Sequence, residues 1–146
     1  MTRVHHTAIC TTDLEASLAF WRDGLGMTQQ MDMPFRGDWP TLFDATGEEL
    51  RAVFLGDPTD RDTGIIELVS IPSGMQPPRD TSAPAQGFLL VSLFCDIEAS
   101  LAKLTELGLA HDVRRISLHG VNVVSVRDPN GVLVELVDAA TARVPA

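Results

Sequence analysis

Three residues able to bind metal ions or move protons stand in strongly apolar segments of the sequence. His6 lies in the first apolar run, and Glu67 and Glu135 lie in two later runs. Side chains alternate across a β-strand, so Glu67 would share its face with Ile65 and Val69. Glu135 has a matching pair of aliphatic neighbours. An unpaired carboxylate in such surroundings is costly, so these residues need a charge partner.

A divalent metal ion is the partner that this set of side chains favours. Two converging carboxylates repel each other, and one would take up a proton unless a cation neutralised both. His6 would add a nitrogen ligand to Glu67 and Glu135. In the alternative interpretation, both glutamates face solvent, where this residue is usually found, and His6 is a hydrogen-bonded core or rim residue.

An internal repeat indicates which elements must position these residues. Residues 13–19 (DLEASLA) recur as residues 96–102 (DIEASLA), an offset of 83. Residues 65–69 (IIELV) match residues 133–137 (LVELV), an offset of 68. The two glutamates therefore occupy the same place in two copies of one unit.

Each copy of the repeat predicts a strand, then a helix, then further strands. Apolar runs at 4–11 and 88–94 predict the opening strands. Asp13 and Asp96 are good N-caps for the helices that follow, and glycines end those helices. Apolar segments at 51–55 and 121–126 predict further strands that run into Asp-Pro turns, and residues 72–87 predict a Pro-rich linker.

Composition limits the function classes. The chain of 146 residues is the size of one domain and carries a formal net charge of −9, which disfavours nucleic-acid and anionic-membrane partners. Two cysteines do not make a disulfide scaffold, and the N-terminus lacks the pattern of a signal segment. A cytoplasmic location and a small-molecule ligand are expected.

The motifs of the chain resemble those of the vicinal-oxygen-chelate superfamily, the glyoxalase, bleomycin resistance protein and extradiol dioxygenase type. Residues 6–27 (HTAICTTDLEASLAFWRDGLGM) are similar to the opening of these proteins, and residues 128–136 (DPNGVLVEL) to their closing signature. The resemblance implies an α+β fold with two βαβββ modules, which form a curved, mostly antiparallel eight-stranded sheet around a cavity. One helix would lie outside each module.

The expected organisation is a single domain over residues 1–146. Module one would cover about 1–71, the linker about 72–87 and module two about 88–140. Members of the superfamily often form homodimers, and we expect one here.

The resemblance also implies the metal ligands and exposes a gap among them. In metal-dependent members, ligands come from the first and last strand of each module. These positions fall on His6, Glu67 and Glu135, and the fourth, 83 residues after His6, falls on Leu89. Leucine cannot bind a metal. Zn²⁺, Ni²⁺, Co²⁺, Fe²⁺ or Mn²⁺ would suit the remaining donors.

Three functions stay open at this point. The first is a metal-dependent isomerase, epimerase or lyase that acts on a small oxygenated substrate, with Glu67 or Glu135 moving a proton. The second is a metal-free small-molecule binding or antibiotic-sequestering protein, with Leu89 in an apolar wall. The third is an extradiol-type dioxygenase, which Leu89 disfavours because a second histidine is expected there. An enzyme is favoured over a binding protein.

Several other residues are candidates for contact with a substrate. Residues 35–43 are expected to form a long loop beside the pocket, with Arg36, Asp38 and Trp39 near the ligand. Cys10 shares the strand face of His6. His5 is expected to point away from His6. We place the further candidates in loops or in the second module: Leu89, His111, Arg114, Arg115, His119 and Asn122.

Overall fold

The structure is a computed structural model that describes residues 1–80 and 82–142. The chain divides into two units, Met1–Pro77 and Pro78–Ala146, and the division falls inside the segment predicted as the linker. We call them module one and module two.

Module one contains a four-stranded mixed sheet with the strand order β1-β4-β3-β2. β1 and β4 are parallel, whereas the β4–β3 and β3–β2 pairs are antiparallel. A helix follows β1 and continues into a π-helical segment, and a second short helix lies between β2 and β3. The elements are β1 (His6–Cys10), α1 (Leu14–Leu18), the π-helical segment (Ala19–Gly24), β2 (Thr28–Arg36), α2 (Trp39–Phe43), β3 (Glu49–Gly56) and β4 (Ile65–Ser70).

Module two repeats this topology with the strand order β5-β8-β7-β6. The first and last strands of module two, β5 and β8, are again parallel, and the other pairs are antiparallel. The elements are β5 (Val91–Cys95), α3 (Ile97–Glu106), β6 (His111–Leu118), β7 (Val121–Arg127) and β8 (Leu133–Asp138). The predicted α+β class with two βαβββ modules is confirmed, and the eight strands form two four-stranded sheets, one in each module.

Both predicted helix starts are confirmed by side-chain caps. The Asp13 carboxylate accepts a hydrogen bond from the Ala16 N–H at 3.0 Å, and that of Asp96 accepts from the Ala99 N–H at 3.1 Å. Each cap satisfies a backbone donor of the first turn that has no partner within the helix. α1 packs against β4, where Leu68 is fully buried. One face of each sheet is thus covered by its helix.

The segment expected as a long loop is partly regular structure. β2 extends to Arg36, and α2 begins at Trp39. The Asp38 carboxylate caps α2 by accepting from the Thr41 N–H at 3.2 Å, and Pro40 stands in the first turn, where it needs no hydrogen-bond partner. The expectation of a loop was wrong. α2 has only five residues, which are too few to show the periodic apolar pattern by which a helix is predicted.

Two strands that the sequence analysis did not locate, β2 and β6, lie at sheet edges. All eight residues of β6 are exposed, so they lack the apolar alternation of a half-buried strand. His111 begins β6, and His119 lies in the turn to β7 with a φ of 50° beside Gly120 at 79°. Two positive φ values in succession suit a tight hairpin turn.

The Asp-Pro turn before β8 is held by a buried carboxylate. Asp128 is 3% exposed. Its Oδ1 accepts from the backbone N–H groups of Asn130 at 2.9 Å and Val132 at 2.8 Å, and its Oδ2 accepts from the Asn130 amide at 3.0 Å. In module one, Asp57 is exposed and accepts from the N–H and hydroxyl of Thr59. The second turn therefore depends more strongly on its aspartate.

We expect Asp128→Ala to lower the free energy of unfolding by about 2 kcal/mol, because two backbone donors lose a charged acceptor. Chemical denaturation followed by circular dichroism measures the change. Asp57→Ala is the matched control and should cost less. An equal loss in the two variants would contradict the assigned role of Asp128.

Candidate functional site

The parallel pairing of β1 and β4 brings His6 and Glu67 together. Ala8 pairs with Glu67 and His6 pairs with Ile65, so all four residues lie on one face of the sheet. His6 Nε2 lies 3.8 Å from Glu67 Oε2. The Glu67 side chain is 17% exposed and that of His6 is 38% exposed. A nitrogen donor and a carboxylate oxygen thus stand side by side on a mostly apolar face.

His5 contacts His6 directly, contrary to the expectation that it points away. The two Nδ1 atoms lie 2.8 Å apart, and the rings meet edge to face with centroids 5.0 Å apart. Both rings also contact Phe54, which stacks on His6 at 5.7 Å and meets His5 edge to face at 6.0 Å. The expectation failed because β1 begins at His6, so strand alternation does not extend to His5.

Glu135 occupies the matching position in module two but has a different neighbour. It pairs with Ser92 on β5 and with Ser125 on β7. The Ser92 hydroxyl donates to Glu135 Oε1 at 2.7 Å. Ser92 was not among the predicted site residues. The sequence alone does not indicate Ser92, because its position opposite Glu135 follows only from the strand register.

The strand register corrects the position that corresponds to His6. Ala8 pairs with Glu67, and Ser92 pairs with Glu135, so the offset between the opening strands is 84. The offset of 83 applies to the helices, because module two has one residue fewer between strand and N-cap. The counterpart of His6 is therefore Leu90 and not Leu89. Leu89 is 51% exposed. Neither leucine offers a metal ligand.

Cys10 lies on the face of Glu67, since it pairs with Val69. The residue is solvent-accessible, yet partial burial of its thiol raises the pKa of Cys10, and the negative charge of Glu67 raises it further. Its thiolate is scarce at neutral pH, so a neutral thiol beside the carboxylate is its ordinary state.

Arg36 and Trp39 have partners within module one. The Arg36 guanidinium donates to Glu49 at 3.0 Å and to Glu48 at 3.3 Å. Trp39 packs against a cluster on the sheet face of Glu67, and its ring stacks on Phe43 at 5.7 Å. The buried members of this cluster are Leu50, Ala52 and Val69. Trp39 thus covers part of the face that carries Glu67.

The second-module candidates differ in their surroundings. Arg115 donates to Glu98 of α3, which places it on the helix-covered face of the sheet, and Asn122 shares that face by register. Arg114 donates to Asp112 at 3.2 Å. His119 lies in the β6–β7 turn, away from the strand positions that carry Glu135. Within neither module do the described residues bring together three His, Cys, Asp or Glu side chains able to hold a metal ion.

Comparison with known proteins identifies the family. Residues 3–136 match the Glyoxalase/Bleomycin resistance protein/Dioxygenase superfamily. The chain belongs to this superfamily. It is also 34% identical to the lactoylglutathione lyase-like protein terB of Aspergillus terreus over 145 residues, which cover 92% of this chain and 74% of that protein. These matches support a glyoxalase-type function at the level of the superfamily.

Solved structures agree on the fold of this superfamily member. A glyoxalase family protein from Bacillus cereus has a TM-score of 0.76 at 20% identity, covering 94% of each chain. The trypanothione-dependent glyoxalase I of Leishmania major has a TM-score of 0.67 at 23% identity, covering 97% of this chain and 89% of that one. None of the helices in residues 1–80 and 82–142 has the length and apolar character that a membrane crossing requires.

The position of Cys10 beside Glu67 generates a test in solution. We expect Glu67→Gln to lower the pKa of Cys10, because a negative charge that disfavours the thiolate is removed. At a fixed pH below that pKa, Cys10 should then be alkylated faster by iodoacetamide, as measured by mass spectrometry of its peptide.

Cys95 in the same sample is the internal control. Burial raises the pKa of Cys95, with Asp96 and Asp138 as the charges that add to the effect. Its alkylation rate should not change in Glu67→Gln. An unchanged rate at Cys10 would contradict the placement of the thiol next to Glu67.

Proposed function

We propose that the chain is a metal-dependent enzyme of the glyoxalase type that isomerises, epimerises or cleaves a small oxygenated substrate. His6, Glu67 and Glu135 would hold a divalent ion. The observation that carries this proposal is the distance of 3.8 Å between His6 Nε2 and Glu67 Oε2 on one sheet face.

The donors in module one fit such an ion. Two ligands with bonds of about 2.1 Å in a tetrahedral site lie roughly 3.4 Å apart, so small rotations of the two side chains would close the gap. At 3.8 Å the pair does not form a hydrogen bond, so a cation can use both lone pairs. Glu135 would add a third donor, and Leu90 leaves the fourth position to water or substrate.

A bound divalent ion would polarise a carbonyl or hydroxyl oxygen of the substrate and acidify the neighbouring C–H group. A glutamate then has to take up that proton and return it to the adjacent carbon. We assign this task to Glu67 or Glu135. The hydrogen bond from Ser92 orients the Glu135 carboxylate, which supports a role that requires fixed geometry.

A 2-hydroxyacyl thioester is the substrate class that we propose, on the strength of the relative named as a lactoylglutathione lyase-like protein. Moving the proton from the hydroxyl-bearing carbon to the acyl carbon, with transfer of the hydroxyl proton to the acyl oxygen, gives a hemithioacetal. That adduct then releases the free thiol and a 2-oxoaldehyde. The substrate contacts proposed from the sequence are Leu89, Trp39, Arg36, Cys10 and His119.

A metal-free binding protein is the second candidate. The apolar residues before β5 favour it, because Phe88 is 66% exposed and Leu89 is 51% exposed, and Leu90 replaces the ligand position. An extradiol-type dioxygenase is disfavoured by the same leucines. Oxygen uptake with catechols after anaerobic loading with Fe²⁺ is the direct check. The homodimer and the cytoplasmic location remain predictions from the sequence.

Metal binding tests the first proposal. We expect the purified protein to bind Zn²⁺ or Co²⁺, measured by competition with a chromogenic chelator. Loss of outer-shell partners of a metal costs about 10- to 100-fold in affinity, so His6→Ala, Glu67→Gln and Glu135→Gln should each weaken binding by ~100-fold or more. Metal binding that is absent, or unchanged in all three variants, would refute the site.

A pair of leucine variants serves as the matched control. Leu90→His should strengthen metal binding by adding a nitrogen donor, whereas Leu89→His should not. Equal effects of the two substitutions would contradict the offset of 84 between the opening strands.

Turnover separates the enzyme from the binding protein. With the hemithioacetal of glutathione and a 2-oxoaldehyde as the probe and saturating metal, we expect formation of the 2-hydroxyacyl thioester, because this is the exergonic direction of the reaction. Glu135→Gln or Glu67→Gln should lower kcat by about 10²- to 10⁴-fold, the usual contribution of a general acid–base group. Glu106→Gln, at an exposed glutamate of α3 that pairs with Lys103, is the control. Binding of the hemithioacetal without formation of the thioester would favour the second candidate.

A further inference from the structure

We infer that His5 is a positioning residue, which holds the His6 ring so that Nε2, and not Nδ1, is presented to a ligand beside Glu67. This inference rests on the proposed function where it concerns metal affinity. The orientation of the His6 ring can also be tested in the metal-free protein.

The contact between the two histidines occupies one nitrogen of each ring. Their Nδ1 atoms lie 2.8 Å apart, which is hydrogen-bond distance. A neutral imidazole has one donor and one acceptor nitrogen, so a single proton lies between the two Nδ1 atoms, whichever ring owns it. In either tautomer Nδ1 of His6 is engaged, and Nε2 is the nitrogen that faces Glu67.

Metal binding at Nε2 selects one of the two arrangements. A ligating nitrogen has to be free of its proton, so a neutral His6 then carries its proton on Nδ1. Nδ1 of His5 is in place to accept that proton in a hydrogen bond. Metal-bound histidines generally donate their second N–H to an acceptor that orients the ring, and His5 would fill this role for His6.

Phe54 supports the same orientation from the neighbouring strand. It pairs with Glu67 across β3 and β4, and its ring stacks on His6 at an interplanar angle of 28°. His5 meets Phe54 edge to face at 69°. The His5 side chain thus has a polar contact with His6 and an apolar contact with Phe54, and a variant can separate the two.

Two substitutions of His5 make this separation. His5→Phe keeps an aromatic ring beside Phe54 and removes the acceptor. His5→Asn replaces the ring but restores an acceptor oxygen near the position of Nδ1. His5 is exposed, so neither change disturbs the core.

In the metal-free protein, long-range ¹H–¹⁵N spectra and nuclear Overhauser contacts report the protonated ring nitrogens and the orientation of the His6 ring. We expect a single orientation stacked on Phe54 in the wild type, several in His5→Phe, and one again in His5→Asn. A His6 ring that keeps its contacts in His5→Phe would overturn the inference.

Affinity for Co²⁺ gives the second readout, from the visible absorption of the bound ion. We expect His5→Phe to weaken binding about 10- to 100-fold and His5→Asn to recover most of the loss. Equal affinities of the two variants would refute the role of the acceptor. If the wild type itself binds no Co²⁺, the proposed metal function fails, while the metal-free spectra still decide the role of His5.

Discussion

The parallel pairing of the first and last strands within each module governs where the chemically active side chains lie. β1 pairs with β4 and β5 pairs with β8, so the start and the end of each repeat become neighbours. A parallel pair cannot be closed by a tight turn, and the helical segments and two strands between its members form the required crossover. Residues about 60 positions apart in module one, such as His6 and Glu67, meet through this pairing.

Glu67 and Glu135 occupy the same position in the two modules, but their carboxylates have different neighbours. Glu67 stands opposite Ala8 and near an imidazole, whereas Glu135 stands opposite Ser92 and accepts a hydrogen bond from its hydroxyl group. A carboxylate on a largely apolar face loses hydration and needs a compensating donor or cation. Module two supplies the donor from within its own sheet. Module one leaves the carboxylate of Glu67 beside a nitrogen of His6 that is too distant for a hydrogen bond.

Aromatic side chains shape the two ends of the module-one face. Phe54 lies under the histidine pair, and Trp39 covers the cluster that includes Val69. Glu67 lies two positions from Val69 on β4 and pairs with Phe54. The carboxylate of Glu67 therefore lies between two apolar surfaces. These surroundings strengthen its electrostatic interactions and make its charge more costly if it has no partner.

Local interactions account for the features that could be predicted from the amino-acid sequence. The N-caps Asp13 and Asp96 act within one turn of helix, and the repeat with its strand alternation set Glu67 and Glu135 at matching positions. These patterns predicted two copies of a unit with a strand, a helix and further strands. The resemblance to the superfamily added the α+β fold with two βαβββ modules and the assignment of His6, Glu67 and Glu135 as candidate ligands.

Other features depend on how distant segments of the chain pair, and these are visible only in the folded protein. The edge strands β2 and β6 carry little apolar alternation, and strand pairing alone reveals them. The counterpart of His6 moved to Leu90 because the register, and not the spacing of the helices, aligns the opening strands. His5 contacts His6 because β1 begins at His6, so the alternation of the strand does not extend back to His5. No local sequence pattern predicts the residue at which strand pairing begins.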